Sequence, residues 1–264
     1  EAVTYVVDTS QEMQWYFYPG IAMGFLSKLY LATRVRDYLE ASAAYFDFFT
    51  RCVPEKYRNG TSGKVSWGSA QMYWITGEEK YRQWVLDYVQ AWMDRTRANG
   101  GLIPDNVGPN GKIGERMNGN WWGGYYGWRW PHGGTVMLEA LCNAGCNATL
   151  LTGDPSWLDL FRSQTDRLWE MRRVEDGRIM IPNRHGAQGW FQFIPHTAAP
   201  TLRLLMHAYA VGRQQQDMDR IEEQYGDRPL PADQPLPRCG KAGSFQVHEW
   251  FEYTIGRNPE FASQ

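Results

Sequence analysis

Four segments of this chain rhyme. The stretches "LYLATRVRDYL" (29–39), "MYWITGEEKYRQW" (72–84), "TLLTGDPSWL" (149–158) and "YTIGRNPEF" (253–261) share one plan. In each, an apolar helix end runs into Thr-Gly or a variant, then charged residues, then an aromatic that opens a new helix. Glycine just past a helix end provides a left-handed cap, and Asp or Pro behind it starts the next helix. A turn this short packs the two helices antiparallel. Helical periodicity agrees: Tyr81, Trp84, Val85, Tyr88, Val89 and Trp92 form one apolar stripe, and Trp157, Phe161, Leu168 and Met171 form another. The uneven spacing of the hairpins argues against a regular solenoid and for an α/α toroid, whose long insertions build a site at one mouth. The expected fold is therefore all-α: a complete or incomplete (α/α) toroid spanning 1–264 as one domain, with long irregular loops at one mouth. Segment 214–243, rich in charge, Gln and then Pro, reads as a helix end followed by an extended surface segment without chemistry.

Between the helix ending near Asn99 and the one beginning near Pro131 lie about thirty residues without helical periodicity, a length that is usually functional inside a domain. Their last part, "GNWWGGYYGWRWPHGG" (119–134), mixes four tryptophans and two tyrosines with six glycines. Glycines allow close approach to backbone, and tryptophans offer flat apolar faces with a polar edge, which suits stacking on a sugar ring. The competing reading, an aromatic plug filling the toroid, does not account for Asn120, Arg129 and His132 in the same stretch. A second irregular segment, "IMIPNRHGAQGWFQF" (179–193), carries Asn183, Arg184, His185 and Trp190 and would form the facing wall.

The stretch from "FYPGIAMGFLSKLYLAT" through "SGKVSWGSAQMYWITGEEKY" resembles bacterial proteins of the α/α-toroid superfamily, the terpenoid-cyclase-like or six-hairpin-like group. The section from "GLIPDNVGPNGKIGERMNGNWWGGYYGWRWPHGG" through "IPNRHGAQGWFQF" is similar to a subgroup of large bacterial polysaccharide-degrading proteins. The resemblance covers about three quarters of the chain and implies a polysaccharide or oligosaccharide as partner. One departure stands out: a full six-hairpin ring needs more helices than the seven or eight found here. The barrel is then incomplete, or part of a longer chain, or completed by a second subunit.

Toroidal polysaccharide lyases set Asn or Arg against the substrate carboxylate and move protons with His and Tyr, and "NWW" is similar to the asparagine-bearing stretch of some of them. Carried onto this chain, Asn120 and Arg129 would neutralise a uronate carboxylate, and His132 with Tyr125 or Tyr126 would move protons. His185 is the reserve base. Trp121, Trp122, Trp128, Trp130, Trp190 and Arg184 would bind the sugar chain. No cofactor or metal is implied. A glycoside hydrolase instead needs two carboxylic acids about 5–9.5 Å apart. Its candidates are Asp105, Glu115 and Glu139, with Asp105 better read as a turn cap. Terpenoid cyclisation lacks its Asp-x-Asp-Asp run, and a non-catalytic carbohydrate-binding protein would use the rings alone.

Composition narrows this further. A formal charge of −2 with interspersed signs gives no reason to expect nucleic acid. No apolar run reaches the roughly 18 residues of a membrane span. The chain opens on Glu1, which leaves processing and compartment open; a polysaccharide substrate would place it in the periplasm or outside the cell. Cys142 and Cys146, four apart on one helix face, and Cys52 and Cys239 are expected as buried free thiols rather than zinc ligands. Asn59 and Asn147 begin glycosylation sequons. His207 reads as a packed helix residue, His196 as a cap or mouth residue, His248 as structural, and Lys64 as solvent-exposed beside Trp67.

Overall fold

The repeated turns owe their shape to a threonine. In the computed structural model Thr33 donates its hydroxyl to the Leu29 carbonyl at 2.7 Å and accepts from the Val35 N–H at 3.3 Å. Thr76 does the same with Met72 and Glu78, at 2.7 and 3.1 Å. Thr152 repeats it with Ala148 and Asp154, at 2.7 and 3.2 Å. The hydroxyl thus adds a second bond to the carbonyl one turn back in the helix and accepts from an amide of the turn that follows. The following residue is left-handed each time: Arg34 at φ 63°, Gly77 at 71° and Gly153 at 76°. A fourth hairpin turns on Arg213, at φ 51°, which the sequence rhyme does not reveal.

The structure describes residues 14–52, 63–196 apart from 106, 109, 116, 125, 126 and 130–132, then 199–225, 249–256 and 259–260. Nine α-helices and three strands lie among them. They are α1 (Gln14–Thr33), α2 (Arg36–Cys52), α3 (Gly63–Thr76), α4 (Glu79–Ala98), α5 (Thr135–Thr152), α6 (Asp159–Glu170), α7 (Thr201–Gly212), α8 (Gln215–Tyr225) and α9 (Glu249–Thr254), with β1 (Arg173–Glu175), β2 (Arg178–Gly186) and β3 (Gly189–Pro195) between α6 and α7. Asn59, Cys239, His248 and most of 214–243 fall outside the described residues.

The odd helices pack in sequence, α1 on α3, α3 on α5, α5 on α7, and each even helix packs on its own partner. This is the two-layered arc of an (α/α) toroid. Antiparallel hairpins make the odd helices run parallel, so their N-terminal ends share one mouth. The long connections 99–134 and 171–200 both deliver the chain to that mouth.

The α1–α3 contact is unusually close. A Cβ on Gly20 would stand 2.4 Å from the Val65 nitrogen, and one on Gly68 would stand 2.4 Å from the Met23 Cβ. The expected stripe of α4 is buried in full, from Tyr81 to Trp92. Outer helices α6 and α8 are joined by a buried ion pair. Arg162 grips Asp217 in two-pronged fashion, Nε to Oδ1 at 2.7 Å and Nη2 to Oδ2 at 2.8 Å.

Segment 173–195 departs from the expected irregular loop and forms an antiparallel sheet of order β1-β2-β3. The fold is therefore helical with one small sheet. Asp176, at φ 49°, and Gly177, at φ 72°, form the two-residue turn between Glu175 and Arg178. Both positive angles are what a hairpin following the strand twist requires. Ile179, Ile181 and Ile194 pack against Trp169 at the end of α6, which fixes the sheet beside the mouth.

Candidate functional site

Asp105 organises the aromatic loop. Its Oδ2 accepts from the Gly123 N–H at 3.1 Å and the Trp128 N–H at 2.6 Å, and its Oδ1 accepts from Gly124 at 3.0 Å. Its own N–H donates to the Trp121 carbonyl at 2.9 Å. Gly127 must lack a side chain, because a Cβ there would lie 2.0 Å from Asp105 Oδ2. Burial pushes the carboxyl up to about 6, against the pull of the three amides. This is the turn-capping role, with both oxygens engaged by backbone. Glu115 is likewise occupied: it accepts from the Asn110 N–H and side-chain amide and closes the turn between Val107 and Ile113.

The loop docks on β2 through two backbone hydrogen bonds. His185 N–H donates to the Trp128 carbonyl at 2.8 Å, and Gly134 N–H to the Asn183 carbonyl at 3.1 Å. The first segment and its facing wall therefore meet. The His185 ring centre lies 4.8 Å from that of Trp121, 5.4 Å from Trp122 and 4.9 Å from Trp190. Burial among these rings lowers the imidazole pKa from its ordinary value, which keeps His185 neutral at pH 7. Trp121, Trp122 and Trp190 are part-exposed.

Trp128 is fully buried, and its indole N–H donates to the Ile103 carbonyl at 2.8 Å. It supports Trp121 and Trp190 from beneath and offers no surface to a sugar, which corrects its expected place in substrate contact. Asn120 and Arg129 are exposed at the rim, and Arg184 is part-buried. Tyr125, Tyr126, Trp130 and His132 lie outside the described residues.

A second feature opens on the inner row of helices. Lys64 and Trp67 of α3, Glu139, Cys142, Asn143 and Cys146 of α5, and Arg203, Leu204, His207 and Val211 of α7 line a cavity of about 460 Å³. Arg203 donates from Nη2 to Glu139 Oε1 at 2.6 Å across it. Asn147 donates from its side-chain amide to Ser66 Oγ at 3.1 Å and to Asn143 Oδ1 at 2.9 Å, which ties α5 to α3 and fixes the Asn143 carboxamide. Asn147 is thereby buried within α5, so its sequon is structural.

Trp67 lies flat on α1, where a Cβ on Gly24 would come within 2.2 Å of its ring, and the Lys28 ammonium sits 5.6 Å from the ring centre. Lys64 and His207, expected as exposed and packed, both face this cavity. The sequence signal was their helical register: 64 and 67, 139, 142, 143 and 146, and 203, 204, 207 and 211 each repeat at one-turn spacing. Cys142 and Cys146 are buried free thiols as expected, with sulfurs 3.9 Å apart.

Among the described residues no group of three or more His, Cys, Asp and Glu could hold a metal, and no helix is long and apolar enough to cross a membrane.

Comparison with known proteins gives the following. Residues 69–179 match a family described as Domain of unknown function (DUF8034). No curated protein matches the chain. Among solved structures it is similar to the Lin0763 protein of Listeria innocua, at 12% identity over 98% of this chain and 73% of that one, TM-score 0.48. It is similar also to an inactive variant of an alpha-1,6-mannanase of Salegentibacter sp. HEL1_6 in complex with alpha-1,6-mannotetrose, at 11% identity over 93% and 71%, TM-score 0.48. The unsaturated glucuronyl hydrolase of Bacillus sp. GL1 gives 17% identity over 99% and 70%, TM-score 0.47. The assignment of this chain to the α/α toroids stands on the packing order of α1 to α8 itself.

Proposed function

We propose that the chain is a carbohydrate-active enzyme that cleaves a polysaccharide or oligosaccharide at a uronic acid by β-elimination. One observation carries the reading: a neutral imidazole, His185, held between part-exposed tryptophans at the mouth of a toroid. Trp121, Trp122 and Trp190 supply stacking faces, and sugar rings are bound by flat aromatic faces with polar edges beside them. A base of this kind takes the proton at C5, next to the carboxylate. The electron pair forms the C4=C5 double bond, the C4–O4 bond breaks, and the leaving oxygen takes a proton. Asn120 and Arg129 at the rim would stabilise the charge that develops on the carboxylate, with His132 and Tyr125 or Tyr126 as proton carriers of the same loop.

The test is the ultraviolet absorbance of the unsaturated uronate during incubation with a panel of acidic polysaccharides. A rising signal that disappears in His185→Gln supports elimination. Reducing ends without that absorbance would transfer the reaction to hydrolysis. Glu139 would be the acid to examine first, since Asp105 and Glu115 are taken up by backbone and turn contacts. Saturable glycan binding without cleavage would leave a binding protein that uses the rings alone.

A further inference from the structure

We infer that the end of the toroid opposite the tryptophan loop is a twofold interface, and that its partner is a second copy of this chain. The repeated turns carry the first observation. Leu31, Trp74 and Leu150 each stand two residues before the bridging threonine of their hairpin, and they are 43, 49 and 54% exposed. Tyr253 stands three residues before the left-handed Gly256, as Trp74 does before Gly77, and Val35 follows the turn at Arg34; both are exposed as well. Nothing in the turn calls for an apolar residue at that place, since the threonine and the left-handed residue after it do the turning. Among the described residues nine large apolar side chains are exposed, and these five gather at one end of the fold. The parallel odd helices put the C-terminal ends of α1, α3 and α5 side by side at the mouth away from residues 119–134. Exposed apolar side chains scattered singly need no explanation, whereas a group of them marks an interaction surface.

Charge decides which partner fits. The three hairpin tips follow one another along the arc in the order α1–α2, α3–α4 and α5–α6. The middle tip is balanced within itself, Glu78 with Lys80 at 3.1 Å and Glu79 with Arg82 at 2.6 Å. On the first tip Arg36 reaches Glu40 at 4.0 Å, and Asp37 lies in the first turn of α2, where the helix dipole answers it. That leaves Arg34, which lies against the Tyr30 ring and has no ion-pair partner among the described residues. On the third tip Asp154 accepts from the Ser156 N–H at 2.9 Å and likewise has no ion-pair partner among them. One unpaired cation and one unpaired anion thus flank a balanced tip that carries Trp74.

A twofold axis through the middle tip lays the first tip of each copy over the third tip of the other. Arg34 then meets the partner's Asp154 at two symmetric contacts, and Trp74, Leu31 and Leu150 are closed off from water between them. An isologous contact requires a surface that fits itself in this way. The exposed ion pairs fix the register and speed encounter, while the central tryptophan supplies most of the affinity. The tryptophan boxes around His185 lie at the two far ends of such a dimer, both open to ligand.

Sedimentation velocity of the whole chain over a range of concentrations is the test. A monomer–dimer equilibrium is expected, with no larger species. Trp74→Ala should raise the dimer dissociation constant by about thirtyfold or more, as for a residue at the centre of an interface. Arg34→Asp and Asp154→Arg bring like charges together at both symmetric contacts, so each should weaken the dimer by about tenfold or more at low salt. An equimolar mixture of these two variants should dimerise as the wild type does, since each offers what the other lacks. Such rescue is closed to a change that merely unfolds the chain. Aspartate tolerates the left-handed backbone of Arg34. Asp154→Arg loses the bond from Ser156, and Asp154→Asn, which keeps it, should weaken the dimer less. A chain that stays monomeric at every concentration, growth beyond the dimer, a dimer indifferent to Trp74→Ala, or a mixture no tighter than its components would overturn the inference. The first of these would hand the apolar end to a different segment or protein.

Discussion

Replacing Asp105 with Asn tests whether the aromatic loop is organised by one carboxylate. Three backbone N–H groups converge on it, two on Oδ2 and one on Oδ1. A carboxamide offers one acceptor oxygen, and its NH2 must then face an amide donor. Placed to keep the Gly123 and Trp128 bonds, it loses Gly124; reversed, it loses the other two. The smaller loss is one hydrogen bond to a charged group, about 1.5–3 kcal/mol. Gly127 is already in contact with the carboxylate, so the loop has no room to swing the amide aside. Against that loss stands the relief of a buried charge, since the fold disfavours the ionised carboxyl; the change in melting temperature, about 2–4 °C per kcal/mol for a chain of this size, reads which of the two is larger. The local readout is sharper: amide exchange at Gly123, Gly124 and Trp128 should accelerate in the Asp105→Asn variant, while amides of α4 stay protected. Unchanged exchange at all three would refute the capping role.

The same residue sets a pH dependence. With a folded pKa of about 6 against 3.8 for an ordinary Asp, the unfolded chain releases its proton first as pH rises. Between about 4 and 6 the folded state binds more protons, so this residue's contribution to stability falls across that window and is flat above it. The Asp105→Asn variant should lose that slope. A wild-type melting curve whose slope between these pH values survives the substitution would assign it to other groups.

Three further perturbations address the frame. Asp217→Asn takes the two-pronged partner from the Arg162 guanidinium, 3% exposed, and leaves it the carboxylate of Asp159 at 2.7 Å, so unfolding by urea should show a loss of about 1.5–3 kcal/mol. Thr76→Val deletes the hydroxyl that bridges Met72 and Glu78 and should lower stability by about 1 kcal/mol, read by the same titration. Gly24→Ala puts a methyl carbon within 2.2 Å of the Trp67 ring; an overpacking loss of about 1–3 kcal/mol is expected. The same urea titration reads it, and an unchanged stability would show that the α1–α3 contact yields without cost.

Much of the frame was legible because its signals are local. The Thr-Gly rhyme marks hairpins since the hydroxyl, the helix end and the left-handed residue are consecutive in sequence. The turn at Arg213 escaped because an arginine took the left-handed position where glycine was expected. The sheet was missed although Asp176-Gly177 is a strong hairpin signal; Gly and Pro scattered through 177–195 masked the alternation around it. The aromatic loop was recognisable by its composition, and its contact with His185 and Trp190 follows from both long connections reaching one mouth. The division of labour inside it was not legible. Nothing local distinguishes Trp128, which is buried and supports its neighbours, from Trp121, which is part-exposed. The cavity was hidden more deeply, since its lining comes from three helices far apart in sequence. Lys64 and His207 look ordinary until α3, α5 and α7 stand side by side.

Among the described residues two tryptophans rest on glycine: Trp67 on Gly24 and Trp128 on Gly134. Each seat lets an indole lie against backbone and fixes its plane without a side chain beneath it. In the first case the fixed ring is itself a wall of the cavity; in the second it is the floor under the rings that surround His185. The glycines that seemed to make the loop irregular are thus what makes it rigid, since they let carboxylate, ring and backbone approach within contact distance. An unstructured aromatic patch would have to order several large side chains on meeting a ligand. Here that ordering is done during folding, by Asp105, Gly127 and Gly134 at the rim and by Gly24 and Asn147 in the cavity. The two sites are built by different residues on different elements, joined through α5. A perturbation of one should therefore leave the other standing, which melting and amide exchange at Gly123, Gly124 and Trp128 can read separately.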